Sequence, residues 1–155
     1  MGHEADLVRL RFARGVRCYA VIIAGDMAGY GWLSTGPEWI GELHREIRPG
    51  KAEAYVWNCV TLAKHRRKGV FRSLVLGIAE AARLLGVRRV WIGSVAIPAE
   101  NALAPLGFHP TAQFRTFRFL GLYVSTGTKI IDSDARRVIS WNSGIEVGAV
   151  ERRRH

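Results

Sequence analysis

The distribution of apolar residues near the N-terminus predicts a β-hairpin. The runs Arg17–Ile23 and Met27–Ser34 are rich in β-branched and aromatic residues, and the Ala-Gly-Asp between them carries the Gly and Asp that tight turns need. A stronger strand is predicted over Glu53–Leu62, which is β-branched and aromatic and lacks Pro and Gly. Residues 37–48 stay open between a helix and a bent strand, because their apolar residues also fit helical spacing and Pro37 suits a helix start.

The segment after Gly69 has the clearest helical pattern in the chain. Its apolar residues form one stripe at helical spacing, and Gly86 is a natural stop just beyond it. Residues 87–94 then form a short, largely apolar run that predicts a strand. This order of strand, helix and strand predicts a parallel strand pair with a right-handed crossover.

The C-terminal third carries weaker signals. A short helix is predicted over about residues 98–106, ending at Gly107. Residues 114–123 alternate aromatic and basic side chains like a half-exposed strand. Possible strands near 129–131 and 138–141 precede a basic tail. The order β-β-β-α-β-α-β predicts a mixed α/β fold around one sheet.

Composition adds a strong positive charge. The 155 residues include 23 Lys and Arg against 13 Asp and Glu, and the net charge of +10 favours anionic partners such as nucleic acid, acidic membrane or phosphorylated cofactors. Apolar residues make up 48% of the chain, which argues against a disordered protein. No apolar run approaches the roughly 20 residues of a membrane span. The N-terminus lacks a secretory layout, so we expect a cytoplasmic protein with no membrane partner. Cys18 and Cys59 lie in apolar runs and are predicted to be buried thiols.

The basic glycine loop from Lys64 to Arg72 lies between the best strand and the best helix. The unpaired N–H groups and partial positive charge of a helix N-terminus make further cations unfavourable there. A bound phosphate would relieve that repulsion, and Gly69, with no Cβ, lets the backbone approach an anion closely. The loop is therefore predicted to bind a diphosphate; the alternative is a solvated basic helix end. The glycine patterns of P-loops and of dinucleotide-binding folds are absent from the sequence.

Three motifs in order resemble the GNAT family of N-acetyltransferases. The family's coenzyme A signature, Gln/Arg-x-x-Gly-x-Gly/Ala, is matched at its first four positions by residues 66–69 and departs at Phe71. Residues 106–108 match the Leu-Gly-Phe that ends a short helix in the family, and the hairpin resembles the paired strands ahead of its cofactor strand. The resemblance covers about residues 16–120. It implies one GNAT-like domain over 1–155, with extra C-terminal strands and a basic tail.

The resemblance implies a central mixed, twisted sheet, a long helix after the cofactor strand and a shortened N-terminal helical part. It implies an N-acyltransferase that moves an acetyl group from acetyl-CoA to a primary amine by direct attack on the thioester. In the family, backbone N–H groups hold the pyrophosphate, the pantetheine arm pairs with the end of the central strand, and one backbone N–H is the oxyanion donor. Carried over, pyrophosphate binding falls on Arg66, Arg67, Lys68, Gly69, Val70, Phe71 and Arg72, pantetheine pairing on Thr61, Leu62 and Ala63, and oxyanion donation on Thr61.

The acceptor side departs from the family pattern. Positions where many members carry a catalytic tyrosine and an asparagine are Leu103 and Ala96 here. The amine must lose a proton, and Glu42, His44 and Glu53 are the candidate bases, each also compatible with an ordinary surface role. A homodimer is expected by family analogy, and the amine acceptor stays open.

Two other functions stay open at this point. The missing tyrosine and asparagine are compatible with a catalytically degenerate CoA-binding protein. The net charge and the basic residues between aromatics at 114–119 are compatible with a nucleic-acid-binding module, although the sequence carries no RNP-type, zinc-finger or helix-turn-helix signature. No His, Cys and Asp cluster has metal-ligand spacing, so no metal site is predicted.

Overall fold

A computed structural model describes residues 3–41, 43, 45–94, 97–119, 122–139 and 146–149. The chain divides into two compact units, residues 1–36 with 49–108 and residues 37–48 with 109–155. A single domain over 1–155 stays a prediction. In chain order the elements are α1 (His3–Ala13), β1 (Arg17–Ile23), β2 (Asp26–Ser34), β3 (Glu38–Ile40), β4 (Arg45–Ile47), β5 (Glu53–Thr61), α2 (Val70–Leu84), β6 (Arg89–Ile92), α3 (Ile97–Leu103), β7 (Ala112–Phe119), β8 (Leu122–Ile130), α4 (Asp134–Val138) and β9 (Glu146–Ala149).

The first unit is built on a mixed four-stranded sheet. Its strands are hydrogen-bonded in the order β1-β2-β5-β6, antiparallel between the first three and parallel between β5 and β6. The predicted hairpin, central strand and crossover pair are confirmed, and the mixed α+β fold agrees with the predicted class. The prediction of one sheet is wrong, because the strands that the structure describes form three separate sheets. Helix α3 runs into a 3-10 turn that ends at Gly107, as the sequence predicts.

Helix α2 covers one face of this sheet. The helix begins after Gly69 and ends before Gly86, and both glycines have the left-handed φ that such helix boundaries favour. Fully burying a Leu or Ile side chain stabilises a fold by about 1.5–3 kcal/mol, so the buried Leu74 and Ile78 of α2 hold the helix firmly against the sheet. The buried cluster consists of Leu33, Ala54, Val56, Leu74, Ile78, Ala82 and Val87.

Helix α1 corresponds to the shortened N-terminal helical part that the family resemblance implies. Its large apolar residues Leu7, Leu10 and Phe12 are all exposed by 46% or more. Apolar residues therefore do not gather on one side of the helix, which explains why periodicity gave no sign of it. The ring of Phe12 nevertheless packs against Trp32 of β2, with centroids 5.3 Å apart.

The second unit contains a hairpin and a three-stranded sheet. Strands β3 and β4 pair antiparallel, so the helical alternative for residues 37–48 is wrong. The bent-strand alternative is right about β structure, but the segment forms two short strands rather than one. Strands β7, β8 and β9 are antiparallel neighbours. Residues 114–119 lie in β7, as predicted, but residues 122 and 123 already belong to β8, so the strand predicted over 114–123 ends too late.

The last strand predictions fare unevenly. The one near 129–131 falls on the end of β8, whereas Val138 ends helix α4 and only Ile139 forms a bridge, to Ile47. A local bond accounts for the helix: the Asp132 carboxylate accepts from the Asp134 N–H at 2.9 Å and satisfies a donor at the helix start. Residues 140 and 141 lie outside the described residues.

Gly31 lies on β2 and packs closely against Cys59 of β5 and Ile78 of α2, so there is no room for a side chain at this position. A Cβ there would lie 2.9 Å from Sγ of Cys59 and 3.0 Å from Cδ1 of Ile78. We expect Gly31→Ala to lower the free energy of unfolding by about 1–3 kcal/mol, the usual cost of overpacking, as measured by urea denaturation. Gly77→Ala is the matched control, because a Cβ on Gly77 meets nothing within 4 Å and removes a helical glycine, which stabilises by about 0.5–1 kcal/mol. Effects of the same sign from both variants would contradict this packing.

Candidate functional site

The central strand β5 parts from β6 halfway along its length. The two strands pair only from Glu53 to Val56, where Ile92 ends β6. From there to Thr61, β5 pairs with β2 alone among the strands that the structure describes. One edge of β5 is therefore open to an extended ligand that adds as a further strand.

A one-residue bulge lies just beyond this divergence. Tyr30 pairs with Val60 and Trp32 with Trp57, so β5 has one more residue than β2 between these two pairs. Asn58 in this stretch has a left-handed φ of 47°. A regular strand would turn Asn58 toward the face that Val56 occupies, but here Cys59 packs against the α2 cluster instead. Because of the bulge, the residues of β5 that follow Asn58 lie on the opposite face of the sheet from the one they would occupy in a regular strand.

The Thr61 N–H points to the open edge. Gly29 lies opposite Thr61, and the N–H of Leu62 donates to the Ala28 carbonyl at 2.9 Å. Because successive N–H groups along a strand alternate in direction, the Thr61 N–H faces away from β2. The Thr61 N–H is therefore placed to donate to a ligand at this edge, whereas the Leu62 N–H is already paired within the sheet. The role of Thr61 as oxyanion donor stays a prediction.

The loop between β5 and α2 is short and exposed. Ala63–His65 form a 3-10 turn, and the side chains of Arg66, Arg67 and Lys68 are exposed. Arg67 and Gly69 have φ of 62° and 76°. Gly69 is the N-cap of α2, and no side chain caps the helix. The first N–H groups of α2 therefore donate to no capping side chain and are available to bind an anion.

The space in front of the helix start suits a diphosphate. A Cβ on Gly69 would meet nothing within 4 Å. Val70 is buried and Phe71 half-buried, and Arg72 adds an exposed cation in the first turn. Lys64 instead pairs with Asp26 at 2.7 Å across exposed surface. A left-handed glycine, uncapped N–H groups and exposed cations together fit the pyrophosphate of coenzyme A.

Glu53 lies at the other end of β5 from Thr61, eight residues away, or roughly 25 Å along a strand. Its carboxylate is nearly buried and accepts from the Gly50 N–H at 2.9 Å and the Trp91 Nε1–H at 3.0 Å. These bonds tie β5 to β6 and to the preceding turn, which favours a structural role. The structure does not bring Glu53 to the open edge.

The other predicted positions on the acceptor side divide as follows. The candidate bases Glu42 and His44 lie outside the described residues, as does Ala96. Leu103, at the position of the family tyrosine, is buried. At the position of the family tyrosine the structure therefore places a buried apolar side chain, which cannot act as an acid.

Both cysteines are free thiols, and the one on the central strand, Cys59, is not a reactive thiolate. Cys18 is exposed, so the prediction that it is buried is wrong: it lies on β1, the edge strand of the sheet. Cys59 is half-buried, and burial raises the pKa of its thiol to about 11. At neutral pH this thiol is protonated and a poor nucleophile.

A cleft of about 190 Å³ lies where α1 meets β2 and the Asn58 bulge. The Arg11 guanidinium lies over two indoles, 4.9 Å from the Trp32 ring centroid and 6.0 Å from that of Trp57. The Trp57 ring in turn stacks on Tyr55. Sequence reasoning missed Arg11 because α1 carries no one-sided apolar stripe, and it missed the role of Trp32 because the hairpin pattern does not show which helix packs on β2. The lining residues are Leu7, Val8, Arg11, Tyr30, Trp32 and Asn58.

Membrane and metal signals are lacking in the part of the chain that the structure describes. Each helix within those ranges is too short or too polar to cross a bilayer. No group of three or more His, Cys, Asp or Glu among the same residues is placed to bind a metal ion.

Residues 3–108 match the model of the Acetyltransferase (GNAT) family. Similar solved structures include a putative acetyltransferase from Agrobacterium tumefaciens, with 20% identity, a TM-score of 0.55, and coverage of 77% of this chain and 81% of that one. An acetyltransferase from Trypanosoma brucei has 19% identity, a TM-score of 0.54, and coverage of 74% and 75%. An acetyltransferase from Bacillus subtilis in complex with CoA has 23% identity, a TM-score of 0.51, and coverage of 73% and 62%. These structures show the fold alone, and no curated protein matches the chain.

Proposed function

This chain belongs to the GNAT family of acetyltransferases, and from this membership we infer that it transfers an acetyl group from acetyl-CoA to the nitrogen of a primary amine. The observation that carries the proposal is the junction of β5 and α2. There an open strand edge runs directly into a basic loop and an uncapped helix start. One ligand with an extended amide arm and a diphosphate would use both features.

Coenzyme A would be held at two places. The N–H groups of residues 67–72 and the Arg66 side chain would bind its pyrophosphate, helped by the positive end of the α2 dipole. The open edge of β5 at Thr61, together with Leu62 and Ala63 just beyond the end of the strand, would contact its pantetheine arm. When bound, the cofactor supplies the acetyl group as a thioester.

Thr61 would contribute to the reaction through its backbone. Its N–H points to the open edge and would donate a hydrogen bond to the oxygen that gains negative charge as the amine attacks. Removing one such donor in other enzymes slows turnover by about 10²–10³-fold. A backbone donor needs no particular side chain, so substitution at Thr61 is a weak probe of this role.

The amine must lose a proton during transfer. Glu42 and His44 stay predictions for the base, and the bonds of Glu53 favour a structural role for that residue. A cytoplasmic location and a homodimer are further expectations. The second candidate function is CoA binding without catalysis, which the buried Leu103 at the position of the family tyrosine favours.

Calorimetric titration with acetyl-CoA and a thiol-release assay on a panel of amines test this proposal. We expect saturable binding and amine-dependent release of the CoA thiol. Binding with no turnover on any amine would favour the non-catalytic alternative. Nucleic-acid binding with a steep salt dependence, together with no acetyl-CoA binding, would contradict both CoA-dependent functions and favour a nucleic-acid-binding module.

Besides the pyrophosphate contact proposed for Arg66, at least one of the side chains of Arg66 and Arg67 is expected to reach the ribose phosphate of coenzyme A. We predict that the double variant Arg66→Ala/Arg67→Ala binds CoA about tenfold more weakly, because charge-assisted hydrogen bonds to phosphate are lost. Its affinity for dephospho-CoA should fall less, and calorimetry with both ligands measures the difference. Arg88→Ala, which removes an exposed arginine beyond α2, is the control. Equal losses of affinity for CoA and dephospho-CoA would show that neither arginine contacts the ribose phosphate.

A further inference from the structure

The cleft beside α1 has a fixed positive charge at its wall. Arg11 lies over the faces of Trp32 and Trp57, an arrangement that holds a guanidinium by cation–π attraction and leaves its edge free to donate hydrogen bonds. Among the described residues, no carboxylate forms an ion pair with Arg11. A stacked guanidinium without an acid partner is a ready-made receptor for a carboxylate or phosphate.

The rest of the cleft is apolar or neutral. Leu7, Val8, Tyr30 and Trp32 supply aliphatic and aromatic walls, and Asn58 supplies an amide. The indole N–H of Trp32 is buried in this wall and has no acceptor within the described residues. No lining residue carries a negative charge, so a cationic group in the cleft would face the charge of Arg11 without an ion-pair partner of its own.

The position of the cleft connects it to the reaction. Asn58, which lines the cleft, is three residues before Thr61 on β5, and Tyr30 pairs with Val60. A ligand here lies beside the strand whose open edge is proposed to bind the thioester arm. The volume of about 190 Å³ is below the roughly 300–1,000 Å³ of drug-sized pockets, which favours a small acceptor.

We propose that the acceptor is a small primary amine that carries an anionic group and an apolar body, with its carboxylate or phosphate bound by Arg11. This rests on the proposed acetyl transfer and narrows its substrate class. Polyamines and other polycationic acceptors are disfavoured, because Arg11 and the net charge of +10 repel them.

Four amines of graded charge test the proposal: L-phenylalanine, its aminophosphonate analogue, 2-phenylethylamine and spermidine. Calorimetry with and without CoA measures their binding, and thiol release from acetyl-CoA measures their turnover. L-phenylalanine and its phosphonate each carry an anionic group beside the amine and are called the anionic amines below. We expect both to bind at least about tenfold more tightly than 2-phenylethylamine, which has the same apolar body without the anion. The order of L-phenylalanine and its phosphonate analogue shows which anion the cleft prefers.

The variant Arg11→Gln isolates the role of the guanidinium. We expect it to weaken binding of the anionic amines about 10- to 100-fold, leave 2-phenylethylamine within about twofold, and leave CoA affinity unchanged. Arg9→Gln, which removes an equal charge from an exposed position on the same helix, is the matched control and should retain the preference. Thermal melting shows whether each variant is folded.

The proposal is overturned if spermidine or 2-phenylethylamine binds as well as the anionic amines, if none of the four binds, or if Arg11→Gln keeps the preference. Its failure is distinguishable from that of the transferase. Loss of acetyl-CoA binding with intact amine binding would remove the transferase and leave the cleft assignment. Acetyl transfer to neutral or cationic amines with no effect of Arg11→Gln would contradict the cleft assignment and leave the transferase assignment in place.

Discussion

Replacing Gly69 with glutamate is expected to raise the Kd for acetyl-CoA by at least about 100-fold while the protein stays folded. The space that a Cβ would enter is open in the protein, so no internal clash opposes the substitution. That same space lies in front of the uncapped first turn of α2, where the pyrophosphate is proposed to bind. A glutamate there would occupy the site with both bulk and negative charge. Calorimetric titration with acetyl-CoA measures the loss.

The control for this variant is Gly86→Glu at the opposite end of α2. Gly86 has a φ of 81°, close to the 76° of Gly69, and its Cβ would also meet nothing within 4 Å. Both variants therefore carry the same cost of about 1–2 kcal/mol for a side chain in the left-handed region and the same change of charge. Only Gly69→Glu should lose the cofactor. Unchanged affinity in Gly69→Glu, or equal loss in both variants, would remove the diphosphate from the start of α2.

The part of the site that sequence could predict is the part set by local chemistry. The β5–α2 junction is marked by a strand pattern, a glycine and an amphipathic stripe, each of which acts within a few residues. Gly69 and Gly86 bound the helix as expected because a left-handed φ at either end strongly favours glycine. Four cations at a helix start have a clear physical meaning even without the fold.

The bulge and the cleft could not be predicted because neither has a local cause. Asparagine tolerates a left-handed φ, but nothing near Asn58 in sequence shows that β2 lacks a residue opposite it. The face reversal depends on Gly31, which leaves room for the Cys59 sulfur. The Arg11 stack likewise depends on the tryptophans of two strands. Strands β3 and β4 have three residues each, so they depend on pairing with each other rather than on a periodic pattern.

Replacing Asn58 with valine is expected to damage both stability and cofactor binding. The φ of 47° at this position is a poor conformation for a β-branched residue. We expect the free energy of unfolding to fall by about 2 kcal/mol, which for a chain of 155 residues lowers the Tm by about 4–8 °C. Thermal and urea denaturation measure this effect.

The larger consequence is for the residues that follow. If valine forces β5 into a regular strand, then Cys59, Val60 and Thr61 each turn to the opposite direction. The Thr61 N–H would then face β2 instead of the open edge, and acetyl-CoA should bind at least about tenfold more weakly. Asn58→Gly is the matched control, because glycine adopts this φ freely and should keep both the bulge and the cofactor affinity. Equal acetyl-CoA affinities in Asn58→Val and Asn58→Gly would show that the bulge does not set the direction of the cofactor edge, and the backbone role assigned to Thr61 would have to be given up.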